Sequence, residues 1–75
     1  MSIGKRVKRA RERAEVSRET AAGEMGTTVQ SLVNKEGDVT QFTARELEIM
    51  ARVCGVEVQA FFEASRAGSA RERRR

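Results

Sequence analysis

The stretch from Ser17 to Glu36, SRETAAGEMGTTVQSLVNKE, constrains the fold most, because it packs two helix starts and one helix stop into a short span. Ser17 suits an N-cap, its hydroxyl accepting from a free backbone N–H, with Thr20 standing where a complete capping box has Glu or Gln. A helix from Arg18 to Met25 follows. Gly26 is placed to take the left-handed conformation that ends it, and Thr27 or Thr28 caps the next helix at once. Ala21, Ala22 and Met25 share one face of the first helix, and Leu32 anchors the second. Small groups at Ala21, Ala22 and Gly23 allow a close helix crossing. Two short helices around a tight turn, the second held out from the body, make a helix-turn-helix arrangement.

A chain of 75 residues supports one modest core. It has one cysteine, Cys54, and no histidine, which rules out an internal disulfide, a zinc site and a histidine-based catalytic centre. No cofactor or metal is expected, nor a small-molecule ligand. With no signal peptide or apolar span legible, the expected location is the cytoplasm of a bacterial cell or phage-infected host. Residues 1–18 carry seven basic and two acidic groups, residues 66–75 five and one, and residues 19–65 three and eight, giving +5, +4 and −5. Any attraction to phosphate therefore comes mainly from the two ends of the chain.

Ile3, Val7, Ala10 and Ala14 recur at helical spacing and predict an amphipathic helix from about residue 3 to 14, with Lys5, Arg6, Lys8, Arg9 and Arg13 mostly off its apolar stripe. Val16 stands where a hydrophobic staple would, just ahead of the Ser17 cap. After Glu36, GDVTQF reads as a loop in which Gly37 ends the preceding helix. Thr43 and Glu46 form a complete capping box for a helix from about 43 to 54, whose core face is Leu47, Met50, Ala51 and Cys54. Cys54 reads as a small buried hydrophobe. Gly55 ends that helix, and Val56 and Val58 lead into a short fifth helix through Phe61 and Phe62. Adjacent helical residues point about 100° apart, so one phenylalanine should face outward. Residues 64–75 form a basic tail, serving either as a cationic arm on phosphates or as a solubilising end.

The run GTTVQSLVNKE resembles the recognition-helix segment of lambdoid phage repressors and Cro proteins, within the wider XRE-type helix-turn-helix family. The likeness extends to SIGKRVKRARERAEVSRETAA before it and LEIMARVCGVEVQAFF after it, covering roughly four-fifths of the chain. It implies an all-α, lambda-repressor-like DNA-binding domain over residues 1–63, with four main helices and a short fifth. It also implies that Arg11 pairs with Glu36, fixing how the recognition helix is presented, and that Phe61 or Phe62 contributes to a two-fold dimer contact. The loop departs from the relatives, offering Asp38 where they usually carry Lys or Arg, so backbone N–H groups, Thr40 or Gln41 would have to replace basic side chains at phosphate.

On such a helix Thr28, Val29, Gln30 and Asn34 face outward as base contacts, with Ser31 between them. Gln30 and Asn34 lie four residues apart and each amide both donates and accepts, which suits adenine, whereas Val29 touches only thymine methyls. Arg9, Ser17, Arg18, Thr27 and Ser31 are the expected phosphate contacts, helped by helix N-termini. Two positions depart from the family pattern: Val33 is apolar, and Lys35 is charged where relatives bury a hydrophobe. Either Lys35 snorkels along the core edge, or the helix is rotated and the contacts shift by one residue. The expected function is a Cro-like or minimal repressor of phage or mobile-element type, occluding an operator as a homodimer on double-stranded DNA. The alternative is a protein-binding module reusing the fold, such as an antirepressor or antitoxin-like partner. Nothing in the residues points to an enzyme.

Overall fold

The computed structural model describes residues 2–62, and the basic tail expected at 64–75 lies outside them. Every described element is helical: α1 (Ile3–Arg13), α2 (Arg18–Met25), α3 (Val29–Glu36), α4 (Ala44–Cys54) and a 3₁₀ turn (Val58–Phe61). The expected fifth helix is thus a 3₁₀ turn, and α1 stops at Arg13, leaving Ala14 exposed. No helix among the described residues is long and apolar enough to cross a membrane.

Three of the four helix starts follow the sequence signals, and Ser2 adds a cap to α1 beyond those expected from the sequence. Oxygens of Ser2, Ser17, Thr28 and Thr43 each accept from the backbone N–H three residues on. Between the two candidates for capping α3, Thr28 takes the role. At Thr43 the box is complete, because Glu46 Oε1 also accepts from Thr43 N–H at 2.9 Å.

The helix ends share one device that the residues only half disclose. In each, a backbone N–H reaches back five residues: Val16 to Arg11, Thr27 to Ala22, Val39 to Asn34 and Val56 to Ala51, at 2.9–3.0 Å. Such a closure places the residue before the donor in the left-handed region. Gly26 (φ 72°) and Gly55 (φ 74°) do this without a Cβ penalty, whereas Glu15 (φ 58°) and Asp38 (φ 65°) do it against one. Gly37, expected to end α3, has φ −90°, so Asp38 makes the left-handed turn instead.

The core is Val7 from α1, Ala21 and Ala22 from α2, Leu32 from α3, Leu47, Met50, Ala51 and Cys54 from α4, and Phe61 from the 3₁₀ turn. Burial pushes the Cys54 thiol above its ordinary pKa, so at neutral pH it behaves as the expected hydrophobe. α4 packs against α1, α2 and the 3₁₀ turn, while α3 lies against α1 and α2. Arg6 fastens the end of the described chain by donating from Nη1 to Phe61 C=O at 2.6 Å.

Of the small residues expected to allow a close crossing, Ala21 and Ala22 are buried where α2 packs on α3 and α4, but Gly23 is exposed. A Cβ on Gly23 would meet nothing within 4 Å, whereas one on Gly4 would lie 2.5 Å from Lys35 C=O and 2.7 Å from Glu36 C=O. The first turn of α1 therefore crosses the end of α3 at a distance only glycine permits. Gly4→Ala should destabilise the fold by about 1–3 kcal/mol through backbone displacement. Gly23→Ala, in open helix, should stabilise it by about 0.5–1 kcal/mol. Urea unfolding midpoints of the two variants check these opposite signs.

Candidate nucleic-acid interface

α3 reaches its pose through the only two buried charged side chains among the described residues, Arg11 (5% exposed) and Glu36 (4%). Arg11 Nε donates to Glu36 Oε2 at 2.7 Å and Nη2 donates to Oε1 at 3.2 Å, a two-pronged fork. The third nitrogen, Nη1, donates to Val16 C=O at 2.9 Å, so one guanidinium holds α1, the α1–α2 connection and α3 together. The hydrogen bond to Glu36 raises the Arg11 pKa against the opposing effect of burial, and the side chain stays charged. Arg18 at the start of α2 brings a second cation to Glu36, Nε to Oε1 at 3.9 Å. That separation is too long for a hydrogen bond and adds Coulomb attraction only.

The far side of α3 is open. Gln30 and Val33 are exposed, and Asn34 is half-buried. Gln30 Nε2 donates to Asn34 Oδ1 at 3.2 Å, placing both amides on one face as their spacing predicts. With that bond made, Gln30 still offers one N–H and its oxygen, and Asn34 both its N–H groups. Val29 is less outward than expected: it is half-buried and packs against the core. Val33, four residues on, is 38% exposed and extends the same face. Its spacing from Val29 was the available signal.

Lys35 bears on the two readings of α3. Its Nζ lies 3.2 Å from Glu46 Oε1 and donates to Gln41 C=O at 3.2 Å, while its side chain is only 13% exposed. The stem runs along the core edge and the ammonium reaches its partners at the rim, the snorkelling arrangement of the two readings. Burial raises the Glu46 pKa, but the Thr43 N–H and Lys35 together pull it below the ordinary carboxylate value.

The expected phosphate contacts are only partly brought together. Thr28 is exposed and caps α3; a capping hydroxyl accepts through its oxygen and still carries a proton to donate. Ser17 has less to offer, since its hydroxyl donates to Thr20 Oγ1 at 3.0 Å. Thr27 and Ser31 are half-buried, and their N–H groups are taken by Ala22 C=O and Thr28 Oγ1. Arg9 is not on this side: it precedes Arg11 by two residues, about 160° round α1, and borders Val56, Ala60 and Phe61. Three of the loop's backbone substitutes are also spent, because the N–H groups of Asp38, Val39 and Thr40 return to carbonyls of α3. Side chains of Thr40 and Gln41 stay exposed. Compared with protein-family models, curated proteins and solved structures, the chain matches none.

Of the two phenylalanines proposed for a dimer contact, Phe61 is excluded: it is 1% exposed and plugs the core. Phe62 is 40% exposed and is the outward member of the pair. No group of three His, Cys, Asp or Glu side chains capable of holding a metal ion occurs among the described residues.

Glu36→Ala leaves a buried arginine without its carboxylate and should cost about 3–5 kcal/mol. Arg11→Met together with Glu36→Leu should cost far less, because neither charge is then stranded. Thermal unfolding of the single and double variants measures the difference.

Proposed function

We propose that this chain is a small sequence-specific regulator that binds double-stranded DNA through α3, with α2, the Gly26 turn and α3 acting as a helix-turn-helix of the lambda-repressor-like type. The observation that carries the reading is the coupled amide pair of exposed Gln30 and half-buried Asn34, on a helix whose opposite side is locked by Arg11 and Glu36. Coupling leaves the pair with donors and an acceptor directed outward, and the major-groove edge of an A·T pair presents the complementary N7, N6 and O4 groups. Val33, with the outer part of Val29, supplies apolar contact for a thymine methyl.

Thr28 and Arg18 serve as phosphate contacts at the starts of α3 and α2, where the helix dipoles also favour an anion. Neutral contacts and one half-exposed arginine form a weakly charged footprint, so specificity depends on base edges more than on bulk attraction. Occupancy blocks an operator, and two copies joined through Phe62 place their recognition helices about 34 Å apart in successive major grooves. No catalytic role belongs to this reading.

The test is selection of binding sites from a random duplex pool, followed by titration of the selected duplex. Gln30→Ala and Asn34→Ala should each weaken binding to it by about 1–3 kcal/mol and relax the preference at one position, leaving random-duplex affinity unchanged. Equal loss on selected and random duplex, with no change in preference, would remove α3 as the reading element.

A further inference from the structure

The side of α1 turned away from α3 carries a second surface that the DNA reading does not use. Arg6, Arg9 and Arg13 fall within an arc of about 60° on the helix, some 140–160° from Arg11. They rim a groove of about 210 Å³ whose other walls are Ala10, Val56, Ala60 and Phe61. Among the described residues, no acidic side chain lines it. Val56 is 38% exposed at its edge, so the groove combines a cationic rim with an apolar wall.

Arg6 strengthens the case. Its Nη1 donates to Phe61 C=O, which holds the guanidinium at the groove. Its Nε is buried and has no hydrogen-bond partner among the described residues. The Nε–Nη2 edge is the fork with which Arg11 grips Glu36, and a carboxylate is the group whose two oxygens match it. A buried donor without an acceptor is costly, and an incoming carboxylate relieves that cost after a small side-chain shift.

We infer that the Arg6–Arg9–Arg13 groove docks an acidic, amphipathic segment of a partner protein, its carboxylates on the arginines and its apolar side chains against Val56 and Ala60. Charge complementarity selects the acidic partner. The apolar wall selects a peptide over a nucleic-acid backbone, which would use the arginines alone. The chain's own continuation is a poor occupant, because residues 63–75 carry five basic groups against two acidic. Since the groove lies across α1 from α3, a partner held there leaves the Gln30–Asn34 face open, and one chain can engage DNA and an acidic protein together. The docking surface stands whether or not α3 reads DNA.

The test is fluorescence anisotropy of the full chain with a labelled helix-forming peptide that carries glutamates along one edge and leucines along the other. Saturable binding is expected. The double variant Arg13→Glu with Val56→Asp, checked for native helicity by circular dichroism, should lose at least about tenfold in affinity. The same peptide with lysine in place of glutamate should not bind, and polyglutamate of equal length should bind more weakly. Absence of binding, undiminished binding by the double variant, or equal binding of polyglutamate would overturn the docking site. Stoichiometric displacement of the peptide by random duplex would assign the arginines to phosphate and overturn it as well.

Discussion

A carboxylate and a guanidinium shut between α1 and α3 hold the arrangement together. Glu36 sits at the end of α3 with almost no access to water, and the fork of Arg11 is its principal partner. Taking two charges out of water offsets most of their attraction, so the pair adds little over a well-packed apolar contact. Its weight lies in the alternatives it forbids. Sliding or turning α3 would leave a buried charge unmatched, and so the register of the helix is held to one value. The Gly4 crossing depends on the same register, since the first turn of α1 nests against the carbonyls of Lys35 and Glu36. At the other edge Lys35 joins α3 to the cap of α4 through Glu46, which supports the pose from outside the core.

Local chemistry was legible in the residues, and contacts between distant segments largely were not. Ser17, Gly26, Thr43 and Gly55 declare helix ends because a cap is decided within a few residues of chain. Asp38 and Glu15 conceal theirs, since either can take the left-handed turn without advertising it. The core stripes of α1 and α4 follow from periodicity, apart from Ala14. The choice between Phe61 and Phe62 did not, because two adjacent aromatics carry no register until Arg6 fastens the 3₁₀ turn. Gly4 as the crossing point, and the grip of Lys35 on Glu46, needed the three-dimensional path of the chain. At the candidate site the amide pair emerged from four-residue spacing, while the position of Arg9 away from α3 needed the direction of Arg11 as a reference.

Charge in this chain is sorted by side rather than simply accumulated. The helix that contributes most of the described cations divides them: Arg11 turns inward to Glu36, Arg6, Arg9 and Arg13 turn toward the 3₁₀ turn, and Lys5 and Lys8 lie between. Around α3 the open groups are amides, hydroxyls and valines, and the following loop spends its backbone N–H groups on closing the helix. A surface of that kind discriminates by hydrogen-bond pattern and shape instead of by field strength. The proposed regulator thus reads with a largely neutral face, and the arginines clustered toward the 3₁₀ turn are left to the proposed docking surface.

The most direct measurement is a residue-resolved footprint: amide NMR shifts of the isotope-labelled chain titrated with its selected duplex. The proposed binding mode places the largest changes from Thr27 to Asn34 and at Ser17 and Arg18, with Arg6, Arg9 and Arg13 nearly silent. Changes confined to those three arginines, with α3 unmoved, would contradict it and make the cationic side of α1 the nucleic-acid surface.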